Sequence, residues 1–218
     1  MYYPVQIPRW LQWLFPRYTW RGKIAPNNKR LYLTFDDGPI PEITPWVLEQ
    51  LRAYNAKATF FCVGGNVQKN QPIYQQIIRE GHQVGNHTFN HLNGWSTSQE
   101  DYLNNVAACK EQVTSPLFRP PYGRLKWGQA KALQFQYKIV LWEILAGDFD
   151  ASISGEQCWQ NVCKNASDGS IIVLHDSQKS WERLSYVLPK LLDYYHNKGF
   201  TFEAISTELN EAIGTGAA

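Results

Sequence analysis

Runs with a two-residue apolar period alternate along this chain with runs that repeat every three or four residues. Residues 29–35 (K-R-L-Y-L-T-F) set Leu31, Leu33 and Phe35 on alternate positions and predict a strand. Residues 42–54 repeat Ile43, Val47, Leu48 and Leu51 at helical spacing. Residues 58–63 form a second apolar run, and residues 71–80 a helix that Gly81 stops. Gln83–Asn86 is a short strand, and Thr97 with Glu100 predicts a capping box for a helix through 113. Residues 117–119, 138–142, 170–174 and 199–205 read as strands. Residues 127–135, 156–166 and 181–196 read as helices. Strand–helix alternation implies a mostly parallel sheet with helices outside it. About seven strands fit either an α/β distorted (β/α) barrel or an open doubly wound sheet, and periodicity alone does not separate them.

Composition narrows the class. The chain has 218 residues, 44% of them hydrophobic and 18% charged, which excludes a disordered or fibrous protein and suits one domain. No apolar run reaches the roughly 20 residues of a membrane span. Four Cys are too few for a disulfide scaffold, and a net charge of +2 gives no reason to expect nucleic acid. The charge is uneven. Residues 1–35 hold Arg9, Arg17, Arg21, Lys23, Lys29 and Arg30 and no acid, together with Trp10, Trp13 and Trp20. The expected organisation is a basic, Trp-rich arm over 1–28 packed on the domain by its aromatics, a domain over 29–213 and a loose tail over 214–218. Peripheral membrane contact by residues 1–21 is the less favoured reading of the arm. Pro4, Pro8, Arg9, Pro16 and Arg17 break up any signal-peptide core, so a cytoplasmic placement is favoured over action at the cell envelope. A monomer is expected.

Chemistry in such folds gathers where strands end. Four places qualify. The first strand runs into Asp36-Asp37-Gly38-Pro39, an ordinary turn sequence that also sets two repelling carboxylates side by side, where a cation would hold both charged. After Gln83–Asn86 come His87 and His91, four apart. Two His and one carboxylate with an open position are the usual catalytic zinc set, and Asp37 or Asp36 could complete it. Arg119 precedes a rigid Pro120-Pro121, where its planar fork can meet a carboxylate. His175-Asp176 leaves an apolar strand, and His175 suits a general acid or base.

Together, T-F-D-D-G-P at 34–39, G-N-H-T-F-N-H at 85–91, R-P-P-Y-G at 119–123 and V-L-H-D at 173–176 resemble the NodB-type polysaccharide deacetylases, carbohydrate esterase family 4. The resemblance covers nearly the whole chain after residue 29. It implies a distorted (β/α) barrel of the NodB-homology type. It also implies a metal triad of Asp37, His87 and His91 holding zinc or another divalent ion such as cobalt, with Asp36 as base. Arg119 is implied as the partner of Asp36, Tyr122 as a backbone donor to the oxyanion, His175 as general acid and Asp148 as the acid beside it. The implied reaction removes N-acetyl groups from an N-acetylhexosamine-containing saccharide such as peptidoglycan or chitin and releases acetate. An O-acetyl esterase acting on xylan or another glycan is the alternative. Phe149, Leu145 and Val173 depart from the Trp, Asp and Leu usual in the family, which bears on substrate preference. His82 is expected to pack locally, His196 to face solvent and Cys62 to lie in the core. Cys158 and Cys163 do not suit a metal pair, and Trp95, Trp127 and Trp181 are the candidate sugar-stacking residues.

Overall fold

The structure, a computed structural model, describes residues 3–24, 26 and 28–207. The predicted tail at 214–218 lies outside the described residues. Among the described residues, eight parallel strands and eight α-helices follow one another. They are α1 (Arg9–Leu14), β1 (Lys29–Asp36), α2 (Ile43–Ala53), β2 (Thr59–Cys62), α3 (Gly64–Lys69), α4 (Gln71–Arg79), β3 (Gln83–Asn86) and α5 (Gln99–Lys110). Next come β4 (Leu117–Phe118), α6 (Trp127–Leu133), β5 (Lys138–Ile139), β6 (Ile144–Leu145), α7 (Gly155–Cys163), β7 (Ile171–His175), α8 (Trp181–Asn197) and β8 (Phe200–Phe202). Seven strands run in the order β5-β4-β3-β2-β1-β7-β6, and β8 pairs with β1. β8 meets the first half of β1 (Lys29 to Leu31) and β2 the second half (Thr34 to Asp36), so the sheet is a distorted half-barrel rather than an open doubly wound layer.

β1 is buried on both faces from Leu31 onward, as a central parallel strand must be. Leu31, Leu33 and Phe35 join Val47, Leu48, Leu51, Leu188 and Leu191 in the layer between strands and helices. Tyr32 points the other way, into a small interior cluster with Phe61, Leu117, Val140 and Ile171. Thr34 and Asp36 share that inward face, so the alternation that builds the core also delivers a carboxylate to the end of the barrel interior.

Several predicted boundaries shift. The strand predicted over 138–142 is only β5 at Lys138–Ile139, because Val140 and Leu141 give their carbonyls to Arg119 instead of to a neighbouring strand, and the sequence pattern does not predict β6 beyond it. The α5 cap is Ser98, not Thr97: the Ser98 hydroxyl accepts from the Asp101 N–H at 3.1 Å and donates to the Asp101 carboxylate at 2.6 Å. Thr97 Oγ1 is turned away to Asn93 O at 2.7 Å, and α5 ends at Lys110.

The arm is stitched to both edges of the half-barrel. Ile7 N–H donates to Glu143 O and Leu145 N–H to Val5 O beside β6, both at 2.9 Å. Thr19 N–H donates to Ile139 O and Leu141 N–H to Thr19 O beside β5, both at 2.8 Å. Edge strands that would otherwise offer unpaired backbone groups are thereby covered. Arg21 pairs with the buried Glu143, and Tyr18 and Trp20 are half-buried, whereas Trp10 and Trp13 stand exposed.

Candidate active site

Strand register gathers the site. Asp36 at the end of β1 lies opposite His175 at the end of β7. On the other side of β1 the ends of β2, β3 and β4 align through Cys62, Asn86 and Phe118, and His87 and Arg119 follow directly. The loops past these ends are held in unusual backbone conformations. Asp37 (φ 86°), Thr88 (φ 61°), His91 (φ 55°) and Tyr122 (φ 61°) all occupy the left-handed region, which costs a residue with a side chain on the order of 1–3 kcal/mol. Side chains repay that strain: Asn66 Nδ2 holds Asp37 O at 2.8 Å, and Asn86 Oδ1 accepts from Thr88 N at 2.9 Å.

Asp37, His87 and His91 present one ligand atom each within 4.8 Å of one another. His91 Nε2 is 3.2 Å and His87 Nε2 3.9 Å from Asp37 Oδ1. That oxygen is buried and has no hydrogen bond of good geometry, which suits a donor reserved for an ion. His87 Nδ1 sits 2.8 Å from Arg119 O, so the ring's proton belongs on Nδ1 and Nε2 is free to ligate. Burial pushes His87 down to about 4 against the nearby carboxylates, which keeps the ring neutral as ligation requires. Burial opposes ionisation of Asp37, but the His91 contact and the surrounding imidazoles hold it below the usual carboxylate range. A divalent ion fits this donor set.

Arg119 has no solvent exposure. Its Nη1 donates to Asp36 Oδ1 and Thr34 Oγ1, both at 2.7 Å, its Nε to Val140 O and its Nη2 to Leu141 O. The guanidinium lies over the Phe61 ring at 4.1 Å. Burial draws its pKa down while the Asp36 charge pulls it back up. A buried cation this fully bonded fixes the orientation of the carboxylate it meets. Asp36 Oδ2 remains directed toward His87, 3.9 Å from Nε2.

On the opposite side, His175 Nδ1 bonds Asp148 Oδ1 at 2.8 Å and His175 N–H donates to Asp148 Oδ2 at 2.7 Å. Burial works against the imidazolium, yet the Asp148 charge and hydrogen bond, with Asp37 and Asp36 beyond, raise His175 to about 9. Arg183 Nε holds Asp148 O at 2.7 Å. Phe149 packs edge-on against His175, with centroids 5.2 Å apart. Tyr122 is exposed, its ring 4.7 Å from His91, and the Gly123 and Arg124 amides close its turn onto Pro120 and Pro121.

Asp176 is a residue that reading from the sequence left without a role. Its buried carboxylate accepts from Gly38 N at 3.1 Å and is bonded to Thr44 Oγ1 at 2.5 Å. Burial, with the Asp37 charge adding, pushes it up to about 8. It clamps the loop that carries Asp37, and a Cβ on Gly38 would run into it. Its signal was the acid following His175 at the end of an apolar strand. The remaining predicted residues fall outside the centre. His82 is buried, accepts from Ala58 N and packs on Phe60, and His196 is exposed. Cys62 and Cys158 are buried. Trp95 and Trp127 are exposed, Trp95 carrying the Arg124 guanidinium at 4.9 Å, while Trp181 packs edge-on against Trp46.

A parallel half-barrel with an Asp-His-His donor set, an arginine-locked carboxylate and a carboxylate-paired histidine at its strand ends has the parts of a hydrolase. Residues 23–138 match the family pattern for polysaccharide deacetylase. Over 196 residues the chain is 38% identical to a peptidoglycan-N-acetylglucosamine deacetylase of Bacillus cereus, covering 86% of this chain and 91% of that one. Over 166 residues it is 36% identical to a chitooligosaccharide deacetylase of Azorhizobium caulinodans, covering 71% and 77%. The crystal structure of a peptidoglycan N-acetylglucosamine deacetylase in complex with 4-naphthalen-1-yl-N-oxidanyl-benzamide superposes with a TM-score of 0.77 at 31% identity, covering 93% of this chain and 99% of that one. The chain belongs to the polysaccharide deacetylase family, the NodB-type carbohydrate esterases of family 4, and is a hydrolase of amide bonds.

Proposed function

We propose that the protein is a metal-dependent deacetylase that removes N-acetyl groups from N-acetylhexosamine units of a peptidoglycan- or chitin-like saccharide, with zinc as the ion held by Asp37, His87 and His91. When bound there, the cation supplies Lewis-acid polarisation. Asp36 is the base. Arg119 bonds one of its oxygens and aims the other into the site, where it takes a proton from the attacking water. The Tyr122 N–H donates to the oxygen that gains charge as the acyl carbon becomes tetrahedral. The C–N bond then breaks, and the nitrogen leaves with a proton from His175. Because Nδ1–H is committed to Asp148, the transferred proton sits on Nε2. Water adds across the amide, giving acetate and a free amino sugar.

The observation that carries this reading is the His175–Asp148 pair. An amide nitrogen is a poor leaving group unless protonated, and His175 raised to about 9 is protonated at neutral pH. An acetyl ester needs that proton far less, so the pair favours N- over O-deacetylation. The test is acetate release from chitooligosaccharides, peptidoglycan and acetylxylan, with and without chelator. Chelator-sensitive release from the N-acetylated substrates is expected. Release from acetylxylan alone would replace the reading with an O-acetyl esterase, and full activity in chelator would remove the metal from it.

A further inference from the structure

α1 is inverted for a helix on a soluble surface. Its buried position is polar: Gln12 turns inward and its Nε2 donates to Ile7 O at 3.0 Å. Its outward positions are apolar: Trp10 is 62% exposed, Trp13 80% and Leu14 64%, and Phe15 follows them into solvent. Scattered exposed apolar residues are ordinary, but a contiguous cluster with two Trp marks an interaction surface. The cluster continues into a groove of about 500 Å³ between residues 14–18 and one face of α6, where Trp127, also exposed, stands across from Phe15.

The charge carried by the arm and by α6 themselves has one sign. Residues 1–35 contain no acid, and neither do residues 112–142, which include α6. Arg9 and Arg17 flank the cluster on the arm, and Lys131 lies over the Trp127 ring at 5.1 Å. Indole rings beside long cationic side chains, with no carboxylate on either element, complement the headgroup and acyl boundary of an anionic bilayer. The placement agrees. The arm runs antiparallel to β6 at Gln6 and returns parallel to β5 at Thr19, so α1 sits beyond the strands' N-terminal ends, away from Asp36 and His175. No helix among the described residues is long and apolar enough to cross a membrane.

We propose that α1 and the adjoining groove dock the protein reversibly on an anionic phospholipid bilayer, with Trp10, Trp13, Leu14 and Phe15 inserting at the interface and Arg9, Arg17 and Lys131 meeting headgroups. The catalytic ends of the strands stay clear of the lipid. Soluble polyanions and a second copy of the chain are the competing occupants.

The test is cosedimentation of the full chain with vesicles of phosphatidylglycerol and phosphatidylcholine, or of phosphatidylcholine alone. Vesicles with brominated acyl chains report on tryptophan depth. Binding to the anionic vesicles is expected, weaker in high salt, with bromine quenching of fluorescence. Trp13→Ala should weaken binding at least about tenfold, and Arg17→Gln about fivefold, from the area and charge withdrawn from the interface. Trp13 is exposed, so the variant should melt like the parent and release acetate from a soluble chitooligosaccharide at the parent rate. Failure to bind anionic vesicles overturns the proposal. So does binding without bromine quenching and matched by soluble polyphosphate, or a vesicle-independent dimer that Trp13→Ala dissociates. None of these outcomes touches the deacetylase reading, which the saccharide assay tests separately.

Discussion

Replacing Asp148 with Asn removes one charge from the pair that sets His175 and leaves the side chain nearly the same shape. His175 stands at about 9, against 6.5 for an unperturbed imidazole. Burial works against the raise and Asp37 and Asp36 contribute less than Asp148, so losing the Asp148 charge and hydrogen bond should return the ring to about 6.5. The sign follows. The acid form is the protonated one, so the active fraction falls as pH rises through the pKa. At pH 7.5 the protonated fraction drops from about 97% to about 9%, roughly a tenfold loss before any misalignment. The basic limb of kcat/KM on an N-acetyl substrate should move about two units or more toward acid. Asp148 also accepts twice, from the ring and from the His175 N–H. Asn accepts with one atom only, so a donor is left facing a donor, at a cost of about 1–3 kcal/mol. A melting curve measures that part. A second substrate isolates the chemistry: an activated acetyl ester expels a leaving group that needs little protonation. Asp148→Asn should therefore impair the amide far more than the ester. Equal losses on both, or an unmoved basic limb, would refute the assignment of His175 as the acid and leave the pair a structural one.

Three further outcomes are expected. Asp36→Asn should keep metal binding, read by calorimetry, and lose about 10²–10⁴-fold in turnover. It should also lower the melting temperature, because the buried Arg119 then faces no carboxylate. Chelation should abolish acetate release and lower the melting temperature, with added zinc restoring both. At 100 times the dissociation constant the ion stabilises by about 2.7 kcal/mol, or roughly 5–11 °C for a chain of this size. His82 should govern part of the acid sensitivity. Burial, with Lys57 adding, holds it at about 4 against 6.5 for a free imidazole. The unfolded chain binds that proton first, so stability is full above about pH 6.5 and falls by roughly 3 kcal/mol by pH 4. His82→Gln should flatten that part of a stability–pH curve measured by urea unfolding.

The elements that could be read from the sequence are those whose pattern runs long enough to show a period. β1, α2, α4, α7, α8 and β7 each carry four or more residues of consistent spacing. β6 does not. Ile144 and Leu145 pair with Ile172 and Val173, but two residues cannot show a period, and the strand read over 138–142 stops short of them. α3 begins Gly64-Gly65 and shows no apolar repeat, and α1 hides between Pro8 and Pro16 with its apolar side turned outward. Barrel against open sheet was undecided because strand order depends on the crossings, not on any one strand's composition. The site divides the same way. Paired acids, spaced histidines and an arginine before two prolines stand out at strand ends by residue type alone. Asp148 lies in an irregular loop and was reached only through the family resemblance. Asp176 was passed over because its work, clamping Gly38 and Thr44, leaves no trace in spacing.

Four aspartates share the rim of this half-barrel, and what separates them is the partner each finds. Asp36 meets a fully buried guanidinium. Asp148 meets an imidazole it helps to protonate. Asp176 meets only an amide and a hydroxyl, and burial pushes it up to about 8, so at neutral pH it sits mostly uncharged and its neighbours need no cation to offset it. Asp37 differs from all three. It is held ionised, yet its nearest groups are two imidazoles, of which the buried one, His87, is itself kept neutral. Counting formal charges, Arg119 offsets Asp36 and protonated His175 offsets Asp148, while Asp37 is offset by nothing permanent. An anionic carboxylate with a buried oxygen that has no hydrogen bond of good geometry, set beside two imidazoles, leaves three ligand atoms converging on one point. Replacing any of the other three aspartates disturbs a balance the protein itself supplies, whereas on the proposed reading a cation would complete the balance at Asp37. That asymmetry is why chelation and Asp36→Asn should separate: the first reopens the charge at Asp37, the second the charge at Arg119.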